Sequence, residues 1–420
     1  MKLALVASVL VAAIDSALGH GDGHDHEREQ AERRLFLEMN TGNSLEHCAD
    51  KIKRSGLYED AARRRYKRAA ELMHPTALEA AIQARQTSSI GKSHKSDKAF
   101  TAATDPALIF AGGNSCVLSP QATEGPFCKF GPKLPVSDFR LFLTDLSADV
   151  MGESVRSDIA ETQAGIPLHI DFQIFDVTTC KPIEGTFFEM WSESPLTPNP
   201  STKLLTNLPD ANGTGVYSGA LSPVNGLSGV NDKANLDRTY LRGSQLTDKN
   251  GVVQFNTIFP GHYDGRAPHI HVVSHTPKAE AQANNTLWHT KATYAGQLFF
   301  DQDIVDNVKK VAPYSGNRQN LMKNAADNIL KAEAQYADPF FNYVLLGKDL
   351  SAGVFAWYQI GINQTFTRDI MAAAMKYKEG GKMNTGNPKG GLEAIFPGGF
   401  PTAFQPGSPQ PPRYTGKPQP

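Results

Sequence analysis

Short apolar runs, cut apart by Gly, Pro, Asn and Asp, fill the middle of this chain and limit what it can fold into. They run from Ile166 to Val177, Gly185 to Trp191, Gly251 to Phe259, Pro268 to His275 and Ala292 to Phe300. Each alternates in polarity or is rich in β-branched residues, and turn-forming residues bound it. That pattern predicts the strands of a sandwich or barrel. Ala352 to Asn363 predicts one more strand, while helical spacing returns between Asp301 and Leu346. No internal repeat divides the chain, and 420 residues suffice for one such domain with appendages. The expected fold is mainly β: an antiparallel β-sandwich core with an N-terminal helical region and peripheral helices.

The beginning of the chain points to a compartment. Lys2 precedes an apolar run from Leu3 to Ile14, and Ala17-Leu18-Gly19 supplies small residues at cleavage positions. These are the features of a secretory signal peptide over residues 1–19, too short for a spanning helix. No later run reaches spanning length, so a secreted, extracellular protein with no membrane attachment after signal cleavage is expected. The sequons at Asn212, Asn284 and Asn363 suit export. Lys+Arg 42 against Asp+Glu 43 leaves a net charge of -1, which gives no footprint for nucleic acid or an anionic membrane.

Residues 20–105 combine a His/Asp tract (His20, His24, His26), amphipathic helices between Glu27 and Arg85, and a polar linker from Ser88 to Asp105. The basic run from Arg63 to Arg68 reads as a solvated helix face, with a dibasic processing site as the alternative. Residues 106–380 hold the sandwich, and the Gly- and Pro-rich residues 381–420 predict a disordered tail. Cys48, Cys116, Cys128 and Cys180 predict two disulfides in an oxidising compartment, with all pairings open to sequence. The spacing of Cys116 and Cys128 favours a local loop, and the other pair then staples the N-terminal region to the core. No CxxC favours a four-cysteine metal site.

His269-Ile270-His271 is the sharpest chemical feature. On a strand, side chains two apart share a face, so two imidazoles converge while the isoleucine enters the packing layer. A bare HxH is often a pair of surface histidines. Here Phe259 to Pro268, a Gly-rich turn with Tyr263 and Arg266, runs immediately upstream. His169 reads as packed or exposed according to its face, and His262 as a residue that could line the pocket. His275 falls on the His271 face but too far along for the same metal.

The stretch from Leu241 to Val272, LRGSQLTDKNGVVQFNTIFPGHYDGRAPHIHV, resembles the signature of the intradiol ring-cleavage dioxygenases. LSPQATEGPFC (Leu118 to Cys128), RSDIAETQAGIPL (Arg156 to Leu168) and DVTTCKPIEG (Asp176 to Gly185) are similar to the secreted fungal branch of that family. The resemblance spans most of residues 110 to 370. It implies one Fe(III) per chain, held by Tyr217, Tyr263, His269 and His271, and implies an aromatic diol and O2 as reaction partners. Tyr217 follows from Gly215-Val216-Tyr217-Ser218 downstream of Trp191, although an insertion from Pro195 to Gly213 precedes it. Tyr240 is the nearby alternative.

Phenolate and imidazole suit a high-valent iron, whereas zinc seldom takes tyrosine. Two anionic oxygens favour Fe(III), a Lewis acid toward a chelating catechol. The resemblance makes Tyr263 the ligand that leaves the metal and takes a substrate proton, with cleavage between the hydroxylated carbons to a muconate-type diacid. It sets Arg266 over the substrate ring, where a guanidinium stabilises developing negative charge, and Gln297 on the next strand. Where relatives carry an aromatic, Cys128 stands, which bears on substrate choice. The family's N-terminal helices imply a homodimer. Two other readings stand beside this one: a non-catalytic secreted binding module, and a zinc or copper site on His269 and His271.

Overall fold

The computed structural model describes residues 45–73, 89–96, 110, 150–192, 217–221, 227–228, 233–263, 265–317, 319–334, 337–370 and 372–384; at 46, 89, 217–221, 227–228, 233, 332 and 368–369 the description is of the backbone. The signal segment, the His/Asp tract, Cys116, Cys128, the insertion before Tyr217 and residues 385–420 of the Gly/Pro-rich tail lie outside the described residues, whereas the first residues of that tail, expected to be disordered, belong to a strand paired with Ala374–Tyr377.

In chain order come α1 (Ala49–Arg54) and α2 (Leu57–Leu72), then β1 (Val150–Met151), β2 (Glu153–Ser154), β3 (Pro167–Asp176) and β4 (Phe187–Ser192). Next are β5 (Tyr217–Leu221), β6 (Leu227–Ser228), β7 (Arg242–Leu246), β8 (Val252–Ile258), β9 (His269–His275), β10 (Thr286–Leu287) and β11 (Lys291–Phe299). The last are α3 (Gln302–Val308), α4 (Asn328–Glu333), β12 (Asn342–Leu345), β13 (Val354–Ile362), β14 (Arg368–Asp369), β15 (Ala374–Tyr377) and β16 (Gly380–Met383). The apolar runs therefore became β3, β4, β8, β9, β11 and β13.

Two sheets face each other. One has the order β14-β11-β9-β4-β7 and the other β12-β13-β3-β8. Neighbours in both are antiparallel except β3 and β13, which run parallel over Val354↔Leu168 to Ile362↔Asp176. Leu168, Ile170, Phe172 and Ile174 of β3 meet Phe188, Met190, Ile270, Val272 and Leu298 of the opposing sheet in one buried core. Alternation does this: one side chain in two points inward, and apolar area removed from water contributes about 25 cal/mol per Å2. The mainly β sandwich is as the sequence predicts.

The remaining faces decide where a site can sit. On the outer face of the four-stranded sheet, Ala62 and Ala69 of α2 pack on Phe355 and Trp357 with Phe110. A disulfide joins Cys48, at the start of α1, to Cys180 in the turn after β3. This is the staple between the N-terminal region and the core. On the outer face of the five-stranded sheet, Trp191, Tyr263 and Val273 pack with Ile370, Ala373 and Ala374. There β15 pairs with β1 and β16, so β9 is buried on both sides. No helix among the described residues is long and apolar enough to cross a membrane.

Three expectations change. The stretch between Asp301 and Leu346 is not purely helical, because β12 pairs with β13 at its end. The polar linker is docked over residues 89–96: Lys95 bridges Tyr343, and His94 is buried between Asp301 and Asp338. The basic run is not one solvated face. Arg63 and Lys67 are exposed, but Arg65 is buried against Asp171 and lies over the Trp357 ring.

Candidate metal centre

His269 and His271 are fully buried on the covered face of β9, and their Nε2 atoms approach to 3.0 Å. The intervening Ile270 lies in the sandwich core. His269 Nδ1 donates to the Ala267 carbonyl at 2.6 Å, which leaves the Nε2 lone pair directed at His271. With metal–imidazole bonds of about 2.1 Å, nitrogens at that separation subtend about a right angle at a shared ion. Burial, and then the Arg266 and Arg242 guanidinium groups, hold His271 well below the ordinary histidine range. It is therefore neutral at physiological pH, the form that ligates.

Tyr263 and Arg266 reach the same place on the loop between β8 and β9. Gly265 takes φ 94 there, a left-handed turn that side chains disfavour. Tyr263 is buried with its ring centroid 6.0 Å from His269. The first half of the loop is tied at two points: Tyr314 Oη donates to Phe259 O at 2.8 Å, and Asn317 Nδ2 to His262 O at 2.7 Å. His262, expected as a candidate pocket residue, is buried and bonded to Gln319 O.

Arg266 is held from two directions. Its Nε donates to Asp327 Oδ2 at 2.8 Å, and its Nη2 to Gln297 Oε1. Asp327 also accepts from the Ala267 backbone at 2.9 Å and caps α4 through Ile329 and Leu330. Burial alone would raise the Asp327 carboxyl, but the Arg266 charge and these backbone donors hold it below the usual carboxylate range. Cation and anion thus form a buried, ionised pair.

Register places the rest. Across β7, β4, β9 and β11, Arg242 is opposite Trp191, Trp191 opposite His271, and His271 opposite Gln297. Cross-strand partners share a face, so these side chains form one row. The Trp191 indole stacks on His271 at 5.0 Å and 4°, and the Arg242 guanidinium lies over the indole at 6.0 Å. Arg242 pairs with buried Glu153 at 3.2 Å. Phe299, opposite His269, packs on it at 5.7 Å. Two rows beyond His271 on the same face, His275 meets Glu189 at 3.0 Å, apart from the His269–His271 pair. Burial and the nearby Glu153 carboxylate push Glu189 well above the ordinary range.

Of the residues singled out from sequence, Tyr263, Arg266, His269, His271 and Gln297 come together on this face. The Tyr217 backbone lies in β5, which packs against residues 233–237, β15 and β16; Leu236 and Ala374 of those segments meet Trp191 and Tyr263 in one cluster. The Tyr217 side chain lies outside the described residues. Tyr240, the alternative ligand, packs elsewhere with Leu241 and Ile258. His169 is half-buried and bonded to Asn256. Sequence reasoning missed Asp327, the stacking role of Trp191, and Arg242. Only the first left a signal, an aspartate immediately before a helical run.

The donor set fits a hard, high-valent metal: imidazole nitrogens converge, and a buried phenol sits beside them. A second grouping, His47 with Cys48 and Cys180, offers no thiolate because the two sulfurs are bonded to each other.

No family model and no curated protein matches the chain. Among solved structures, an intradiol ring-cleavage dioxygenase from Tetranychus urticae is similar at 25% identity, over 60% of this chain and 96% of that one, with a TM-score of 0.38. The dioxygenase domain of a dioxygenase carbohydrate-binding protein fusion from Streptomyces sp. SirexAA-E is similar at 18% identity, over 60% and 99%, with a TM-score of 0.29. Catechol 1,2-dioxygenase from Acinetobacter sp. ADP1 is similar at 16% identity, over 58% and 62%, also at 0.29.

Proposed function

We propose that this chain is a non-haem Fe(III) dioxygenase that cleaves catechol-type rings with O2 between the hydroxylated carbons, giving muconate-type diacids. The observation that carries the reading is the pair of buried imidazole nitrogens 3.0 Å apart, with Tyr263 on the same covered face. His269, His271, Tyr263 and Tyr217 would hold the iron, one per chain. Bound ferric iron would supply Lewis acidity toward the two substrate oxygens and make the ring reactive toward O2.

The chain's own residues do the rest. Tyr263 accepts the substrate hydroxyl proton at its phenolate oxygen, the general-base role. Arg266, fixed by Asp327 and Gln297, presents positive charge that needs no reorganisation as negative charge develops. Trp191 and Phe299 wall the imidazoles with apolar surface and exclude water. The signal-like segment supports an extracellular setting, and a plant-derived phenol is the kind of diol this reading assigns to it there. The exposed side of α2 is the surface that a homodimer would use.

The test is spectroscopic first. Purified protein is expected to be red to burgundy, with a high-spin ferric EPR signal, and to take up O2 with catechol, hydroxyquinol or protocatechuate. Tyr263→Phe is expected to shift the visible band and slow turnover by about 100-fold or more. Colourless protein carrying stoichiometric zinc or copper overturns the reading, and iron-loaded protein without O2 uptake reduces it to a binding module.

A further inference from the structure

The two histidines are oriented by different means. His269 is fixed by a hydrogen bond from Nδ1 to the Ala267 carbonyl and by Phe299 on its flank. His271 lies flat on the Trp191 indole, 4° from parallel. Beyond the indole sits the Arg242 guanidinium, itself tethered to Glu153, and all of these groups are buried. Main-chain pairing fixes the order: β7, β4 and β9 are adjacent, and Arg242, Trp191 and His271 occupy one register row.

Among the described residues the indole Nε1, which is buried, has no hydrogen-bond partner. No bond among the described residues therefore rewards tryptophan over phenylalanine there, and the broad ring face is what the position uses. An aromatic face turned to a cation on one side and an imidazole on the other prefers the parallel geometry seen here. Residues that orient a ligand set how well its lone pair meets the metal.

We infer that Trp191 and Arg242 are positioning residues for the metal site: a guanidinium–indole–imidazole stack that holds the His271 ring in its ligating orientation. The inference rests on the ferric reading above and adds residues outside the ligand set. It makes the stack a determinant of how tightly the iron is held and of the colour of the centre, while leaving the bond-making groups to the ligands and Arg266.

The experiment uses the full chain loaded with ferric iron and reads iron retention against a chelator together with the visible absorption band. Trp191→Ala is expected to weaken iron retention by about 10-fold or more and to move the band. Trp191→Phe is expected to recover most of both, and Arg242→Met to shift both in the direction of Trp191→Ala but less. If Trp191→Ala does not fold, Trp191→Leu, which fills space without a π face, takes its place. Folded variants with wild-type retention and an unchanged band, beside iron-binding wild type, overturn this inference alone. Wild type that takes up no ferric iron overturns the reading of the site, and this inference with it.

Discussion

A histidine two residues from another on a strand points the same way whatever the topology, so the His269–His271 pair was readable from spacing alone. Asp327 was not. It lies 61 residues after Arg266 in sequence, and only the fold brings its carboxylate to the guanidinium at 2.8 Å. Its removal has a large expected effect. Asp327→Ala deletes the partner of a buried cation, the acceptor for the Ala267 backbone and the cap of α4 together. Breaking a buried pair by removing one partner costs about 3–5 kcal/mol. The urea midpoint is expected to fall accordingly, and Asp327→Asn, which retains cap acceptors without the charge, to fall less. Equal midpoints for the wild type and Asp327→Ala would remove Asp327 from the support of the Arg266 loop. The same lesson covers Trp191 and Arg242. Their two-residue alternation was legible, but which strands lie beside β9 was not, because adjacency is a property of the sheet and not of any run within it.

At the scale of elements, apolar alternation carried most of the fold: β3, β8, β9 and β13 fall within the runs that predicted them, and β4 and β11 exceed theirs by one residue each. Elements whose stability comes from partners elsewhere were the ones missed. The segment 89–96 is polar, yet it is docked through His94, whose Nδ1 and Nε2 face Asp301 and Asp338 while its ring stacks on Phe340 at 4.9 Å. Lys92 also faces Asp338, and the Tyr343 hydroxyl meets Asp301. Burial would lower the His94 pKa, but the two carboxylates raise it to about 9. A folded value above the unfolded 6.5 contributes stability that is fully present below pH 6.5 and lost as pH rises through about 9. Tyr343 is pushed well above its usual range and stays protonated across that window. Amide exchange in residues 89–96 is therefore expected to quicken between pH 7 and pH 9.5, once corrected for intrinsic rates. His94→Gln is expected to exchange fast at both. A protected segment at the higher pH would show that the two carboxylates do not hold it through charge. Ile90 of this segment packs with Ala267, Phe299 and Phe340, so its release also loosens the layer behind His269.

The molecule as a whole keeps its two covered faces separate: helices close one sheet, and the candidate centre lies under the other. Besides their apolar packing, the N-terminal helices carry two strong tethers, the Cys48–Cys180 bond and a buried charge cluster at Asp171. Asp171 accepts from Arg64 twice, from Arg65 and from Gln254, each at 2.8 to 2.9 Å. Burial would raise its carboxyl, and the two guanidinium groups instead bring it down to about 2. A depressed carboxyl contributes stability that is present above its unfolded value near 3.8 and is lost as pH falls through about 2. At neutral pH the clamp is fully formed. The basic run looked solvated in sequence because its anion lies on β3, 106 residues beyond Arg65. The two tethers act on one body, so neither alone is expected to release it. Closing a loop of this length contributes about 4–5 kcal/mol, and stranding the buried Arg65 cation, with half-buried Arg64 beside it, costs about 3–5 kcal/mol. Trypsin access to Arg64 and Arg65 reports release, since a docked helix presents no extended backbone to a protease. Reduction alone and Asp171→Ala alone are expected to raise the cleavage rate modestly. Both together are expected to make the run cut rapidly while the visible band of iron-loaded protein stays in place, because the centre sits across the sandwich. A band lost in step with cleavage would mean that the two faces are one cooperative unit, and rapid cutting in untreated wild type would mean that the helix is not docked.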